Sequence, residues 1–231
     1  MKDFKFGSSH FVLPQVGTML QIAGLGCLLI TLTHCSRPST TTAAVPPPVS
    51  QEVDSYTVSI QQWQEELNAQ YRDPEHSPLP DLDRQVFTAH PFFPIDSTYR
   101  VVATLDYPAE VQVLEMPTSS GSIKTFEIYA LANFELEGEA LQLQVLKPFG
   151  RLSGLNNYLF IPFQDATSGQ ITYGGGRYMD LPLPAEREES LVIDFNRAYH
   201  PYCAYTDGYN CPIPPAENRL PISVQAGIKL P

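Results

Sequence analysis

Two alternating runs meet at one turn, and that excludes most folds for the middle of this 231-residue chain. Ala140–Leu146 reads Ala-Leu-Gln-Leu-Gln-Val-Leu, so Leu141, Leu143 and Val145 share one face with a period of two. Upstream, Thr125–Leu136 alternates in the same way, over a length that suits one strand or two. Glu137-Gly138-Glu139 lies between the two runs and reads as a hairpin turn. A period of two places successive side chains on opposite faces, which a helix cannot do.

Other short runs extend the pattern. Tyr99–Leu105, Ile171–Tyr173, Arg177–Leu181, Ser190–Phe195 and Pro221–Ala226 read as strands, and the compact apolar Tyr158–Phe163 suits a strand buried on both faces. The 22 prolines and the low charged fraction of 17% favour strands and ordered turns over long helices, while 43% apolar residues suffice for a core. Neither an internal repeat nor a βαβ alternation is visible. The fold expected is mainly all-β, an antiparallel sandwich or barrel. One amphipathic helix precedes it: Ile60, Trp63, Leu67 and Tyr71 recur at spacings of three and four. Ser59 and Gln62 read as its capping box, and Asp73-Pro74 ends it. Trp63, the only tryptophan, lies on the apolar face and reads as the anchor of this helix on the sheet.

The N-terminus reads as targeting. Lys2 and Lys5 precede a run from Phe6 to Ser36 with no Lys, Arg, Asp or Glu. Its most apolar part, Met19–Leu32, is shorter than the roughly 20 residues a spanning helix needs. A basic start, a short apolar middle and an abrupt polar switch describe a secretory signal. Leu32-Thr-His-Cys35-Ser36 resembles a bacterial lipobox, in which the cysteine is lipidated and becomes the mature N-terminus; His34 departs from the small residue usual before it. An uncleaved anchor helix or a plain signal peptide are the alternatives. Arg37–Ser50, rich in Ser, Thr and Pro, cannot bury a core and reads as a solvated tether. The expected organisation is a signal segment over 1–35, a tether over 36–52 and a single β-rich domain over 53–231. That places the protein in the cell envelope, lipid-anchored, with the domain periplasmic or surface-exposed. Ser36 beside the cysteine favours the outer membrane over the inner.

The net charge of −11 and the lack of any basic run exclude nucleic acid as a partner and direct adsorption to anionic lipid. No cofactor and no metal are expected. Gly174-Gly-Gly-Arg177 is not a phosphate loop, because Tyr178-Met-Asp-Leu after it reads as a strand rather than a helix. The glycines suit a bulge or tight turn. They also suit a bare backbone wall beside a ligand, with Arg177 presenting its guanidinium.

Three stretches are dense in special residues: Phe92–Arg100, Pro162–Asp180 and Asp194–Pro221. The last holds Cys203, Cys211, four tyrosines and two Asn-Arg pairs. Together they resemble the domain-of-unknown-function 1684 family, over nearly all of the mature domain from about Tyr56 to the C-terminus. The likeness is to the short lipoprotein form of Bacteroidetes-type bacteria; longer members carry a further β-rich portion upstream. His200 stands where relatives usually show Asn, and Ile228 where many show Glu. The resemblance implies a family without an established activity, so it supplies no mechanism.

Cys203 and Cys211 are eight residues apart around Asp207-Gly208, and in an exported chain such thiols are expected to oxidise. Free buried thiols, or a metal site joined by His200 and Asp207, remain alternatives, and the resemblance keeps the former open because similar cysteines occur in members that look cytoplasmic. Asp194, Asn196 and Arg197 close an apolar strand, Asp165 and Ser168 follow another, and Asn218-Arg219 precede the last. Buried charges must be paired. Asp194 with Arg177, Arg197 or Arg219 therefore suits a bidentate network that pins the C-terminal loop. The same residues, with Tyr173 and Tyr199, suit a polar pocket for a small anionic or sugar-like ligand. Ser168 lacks a nucleophile setting and no histidine is obviously partnered. The expected function is thus a non-catalytic envelope lipoprotein that binds a small ligand or a protein partner. A hydrolase-like enzyme using Asp165, Asp194 and Arg177 and a purely structural protein are the alternatives.

Overall fold

A computed structural model describes residues 49–150 and 158–230. The signal segment, Cys35 and the tether as far as Pro48 lie outside the described residues. Helix α1 spans Val49–Arg72, α2 spans Asp81–Val86, and seven strands follow. They are β1 (Arg100–Asp106), β2 (Val113–Pro117), β3 (Ile123–Leu136), β4 (Glu139–Pro148), β5 (Tyr158–Phe163), β6 (Arg177–Pro182) and β7 (Ser190–Asp194). Among the described residues no helix is long and apolar enough to cross a membrane.

All strand pairs are antiparallel, and the order is β6-β5-β4-β3-β1-β7, with β2 sharing the flank of β3 that β1 uses further along. The sheet curls into a half-barrel. β3 and β4 form the expected hairpin, with Leu136 opposite Glu139 and positive φ at both Glu137 (54°) and Gly138 (80°), the geometry of a tight two-residue turn.

β3 is one strand with one extra residue. Its register against β4 slips between Ile128 and Ala130, so Tyr129 is the inserted position. Because side chains alternate with a period of two, one added residue swaps the faces. Phe126 therefore packs outward, whereas Ala130, Ala132 and Phe134 pack inward. Such a bulge bends the strand and helps curl the sheet.

The curl creates two cores. Inside it lie Ala132, Leu143, Val145, Ile161, Ile193 and Phe195, all nearly free of solvent. On the outer face, Trp63, Leu67 and Tyr71 of α1 pack with Phe126, Leu146, Phe160 and Tyr178. Each such side chain contributes roughly 1.5–3 kcal/mol on burial, so the helix face is a main outer support of the sheet. The helix begins ten residues before Ser59. That serine therefore sits within the helix and turns its hydroxyl back to the Tyr56 carbonyl (2.7 Å) instead of capping an end.

Two expected strands are absent. Ile171–Tyr173 lies in a tight turn, where Ile171 and Thr172 both donate to the Thr167 carbonyl. Pro221–Ala226 is no strand because its backbone serves another partner, the buried guanidinium of Arg177. β2 was not anticipated; Pro117 and the apolar spacing around Glu115 mask it.

Candidate functional site

β6 and β7 are the two edges of the curled sheet, and they approach each other along a seam. One bridge closes it: Tyr178 donates to the Tyr199 carbonyl (2.9 Å) and Tyr199 donates back (3.0 Å). Between β7 and Tyr199 the chain makes a 3₁₀ turn, Phe195–Arg197. Asp194 caps that turn by accepting the Asn196 N–H at 3.1 Å, which satisfies a donor the turn leaves open. The turn interrupts the strand geometry that would carry pairing beyond the bridge, and a cleft of about 710 Å³ lies along the seam.

One wall is β6, with Met179, Asp180, Leu181 and Pro182. Opposing residues come from α1 (Tyr56, Ser59), from the entry to β1 (Ser97, Arg100), from β7 (Val192, Asp194) and from the 3₁₀ turn (Arg197). The Asp194 carboxylate is well held. Tyr56 donates its hydroxyl to it (3.0 Å), Asn196 adds its side-chain amide (3.0 Å), and the Arg197 guanidinium stands 3.8 Å away. Burial and the charge of Asp194 push the Tyr56 phenol well above its usual range, so it stays a donor. Asn196 also grips both the carbonyl (2.8 Å) and the N–H (3.1 Å) of Asp96, which fixes the loop leading to Arg100.

Asp180 has a different environment. Tyr199 donates to its Oδ2 at 2.6 Å, and Tyr158, Tyr178 and Tyr202 stand around it. Burial pushes its carboxyl up to about 7, against the smaller opposing effect of the Tyr199 hydrogen bond. Arg100 lies exposed at the cleft, and its side chain makes no hydrogen bond or ion pair among the described residues. The cleft thus offers one uncommitted guanidinium, one partly committed guanidinium, a carboxyl that titrates near neutrality and an apolar floor.

The expected site residues divide. Asp194 and Arg197 line the cleft, and Asn196 and Tyr199 support it from behind. Arg177, Asp165 and Asn218 do not reach it. The Arg177 side chain is fully buried, 3.3 Å from Asp165, with its Nη donors on the carbonyls of Val224 (2.8 Å), Ala226 and Ile228 (3.4 Å). Asp165 also accepts the Val224 N–H (2.8 Å) and the Thr167 hydroxyl (2.8 Å). This is a lock on the C-terminal segment, not a ligand-facing group. Gly176 turns the chain into it: at φ +89°, a Cβ would come within 2.4 Å of the Phe163 carbonyl. Arg219 lies exposed on Gln164 Oε1 (2.8 Å), and Tyr173 gives its N–H to His200 Nε2 (3.2 Å); neither lines the cleft. Cys203 and Cys211 form a disulfide, with Cα atoms 6.4 Å apart.

Reading the sequence passed over Tyr56, Ser59, Ser97, Arg100 and Asp180 as site residues. Two of these left a trace: Asp180 interrupts the apolar run Tyr-Met-Asp-Leu, and Arg100 opens a strand otherwise rich in valine.

Residues 85–229 match the family model described as Protein of unknown function (DUF1684). The chain belongs to the DUF1684 family. Five chains of known structure match, among them an uncharacterised protein of Haloarcula marismortui solved by solution NMR. It is 32% identical, covers 78% of this chain and 97% of its own, and superposes with a TM-score of 0.61. No curated protein matches. The DUF1684 match takes in the Arg177 lock together with Arg100, Asp180, Asp194 and Arg197, whereas Tyr56 and Ser59 lie upstream of it.

Proposed function

We propose that this chain is a lipid-anchored envelope protein whose β-rich domain binds a small ligand in the seam cleft. One observation carries the reading: Arg100, Arg197 and Asp180 converge on a cleft of about 710 Å³. Small-molecule sites typically enclose about 300–1,000 Å³, with an apolar lining and a few convergent polar groups. A protein partner is less well served, because the polar groups lie within a recess rather than on a flat face. The lipobox around Cys35 and the Ser/Thr/Pro tether after it support anchoring at the outer membrane, with the cleft held off the surface.

A second reading, hydrolysis, draws support from two carboxyls in one cleft. Asp180 titrates near neutrality while Asp194 is held by hydrogen-bond donors, the kind of separation that assigns acid and partner roles. Asp180 would then hold the proton, and the residues named from the sequence alone, Asp165 and Arg177, would have no part.

Ligand screening by thermal shift on the full chain and on Arg100→Ala tests the main reading. A stabilising compound whose effect is lost in the variant supports it; compounds that stabilise both proteins equally sink it. Turnover of any bound compound that stops in Asp180→Asn would move the assignment to the enzyme. The mass of the mature protein tests the anchor: an unmodified N-terminus at or before Cys35 overturns it.

A further inference from the structure

The identity of the ligand follows from which charges in the cleft are already spent. Asp194 is matched by Tyr56, Asn196 and Arg197, so it offers little negative field to a newcomer. Arg197 is held only loosely, its Nε 3.8 Å from Asp194 and its Nη2 3.4 Å from the Ser59 hydroxyl, and its side chain is 42% exposed. The Arg100 guanidinium has no hydrogen-bond or ion-pair partner among the described residues, and the residue sits directly across the strand pair from Asp194. Two guanidinium groups with donors to spare form an anion site, and arginine suits a planar carboxylate or a tetrahedral oxyanion better than lysine does. Met179, Leu181, Pro182 and Val192 give the cleft an apolar stretch, beside the hydroxyls of Tyr56, Ser59 and Ser97. A ligand for such a place has an anionic head and an apolar body.

Asp180 decides when that ligand can enter. Its carboxyl lies in the same lining, with Tyr199, Tyr158, Tyr178 and Tyr202 around it, from the segment after β7, from β5, from β6 and from the short helical turn at Tyr202–Ala204, while Arg100, Arg197 and Asp194 share the cleft with it. Among the described residues no cation forms an ion pair with it. Ionised, it would repel an anionic head and compete for Arg100 and Arg197; protonated, it becomes a hydrogen-bond donor. We propose, resting on the ligand-binding reading above, that the seam cleft takes a small organic acid with an apolar body, its head on Arg100 and Arg197, and that Asp180 must be protonated for the acid to bind. The titration of Asp180 near neutrality puts this gate within a physiological range. Above about pH 7 Asp180 is charged and binding weakens; below, the site opens.

Three probes with apolar tails of seven or eight carbons separate the alternatives: octanoate, octanesulfonate and octyl glucoside. Neither anionic head titrates appreciably between pH 6 and 8.5, so a pH effect comes from the protein. Binding to the isotope-labelled full chain is followed through the backbone amides of Asp180 and Val192, which report on the cleft and not on the apolar N-terminal run. We expect octanoate to bind about tenfold or more tightly at pH 6 than at pH 8.5, the size of one like-charge interaction removed. Asp180→Asn should bind equally at both pH values, and Arg100→Ala should lose affinity at both. Octanesulfonate binding as well as octanoate identifies a general anion site, and octanoate alone identifies a carboxylate site; both support the proposal. Octyl glucoside shifting those amides while the acids do not would overturn the acid and leave the cleft reading intact. Acid binding that ignores pH would overturn the gate. No amide shift with any compound would overturn both.

Discussion

Asn218 pairs with Gln144 as one strand residue pairs with another. Its Oδ1 accepts the Gln144 N–H at 2.7 Å, and its Nδ2 donates to the Gln144 carbonyl at 3.0 Å and to the Pro162 carbonyl at 2.7 Å. A side-chain amide thus does the work of a peptide group between β4 and β5, whose own register records only Leu146 opposite Phe160. Asn218→Leu preserves bulk but leaves the Gln144 groups without this partner. An unsatisfied buried polar group costs about 1–3 kcal/mol. We expect a loss of at least that size in urea unfolding, and faster hydrogen exchange at the Gln144 amide.

The Arg177–Asp165 pair is the most costly to break. Both side chains are fully buried, and removal of one partner from such a pair costs about 3–5 kcal/mol. Arg177→Met should therefore leave the protein barely folded at room temperature. Arg219→Ala, on an exposed guanidinium, should stay within about 0.5 kcal/mol of the parent. Equal effects in denaturant melts would contradict the division between lock and surface.

The Cys203–Cys211 disulfide closes a loop of eight residues' separation, next to Tyr202 and Tyr205 of the outer core. A loop this short is worth roughly 2–3 kcal/mol in the chain-entropy model. The double Cys→Ser variant should melt lower, while the parent should move down to match it once reductant is added. No mass change on reduction and alkylation would show that the bond is absent in the isolated protein.

Two groups with shifted titration give stability opposite slopes with pH. Burial, helped by the charge of Arg177, lowers His200 to about 3, and its Nε2 must stay bare to accept the Tyr173 N–H. The folded state therefore binds fewer protons than the unfolded chain below the usual histidine value, and stability falls as pH drops from about 6.5 towards 3. His200→Asn should flatten that acid limb in part; His90, lowered by burial to about 4, contributes to the same limb. Asp180 acts in the other direction. Its raised value means the folded state holds the proton more tightly, a stabilisation present at low pH and lost as pH rises towards and through 7. Asp180→Asn should consequently raise the melting temperature more at pH 8 than at pH 4.5. A parallel shift at both would show that the carboxyl is not perturbed.

The strands were legible where the alternation was local. Leu141, Leu143 and Val145 announce β4 because one face is core and the other solvent, and Tyr158–Phe163 is recovered to the residue. The Tyr129 bulge was not, since one inserted residue leaves the composition unchanged and alters only which face each side chain takes. The C-terminal segment was misread for a related reason. Pro221–Ala226 has strand-like residues, but its backbone is spoken for by an arginine nearly fifty positions earlier. Asp194 and Arg197 are legible because only three positions separate them in the sequence. Arg100 and Asp180 were not, because the cleft that joins them exists only after the sheet curls and its edges meet.

The Arg177 lock also sets an order of events. A guanidinium at the heart of the domain finds its acceptors at Val224, Ala226 and Ile228, about fifty residues further along the chain. Until those residues leave the ribosome, enclosing Arg177 would strand a charge without its carbonyls. The nascent polypeptide therefore has no finished interior to collapse around. Sealing the charge inside thus waits on the segment from Val224 to Ile228.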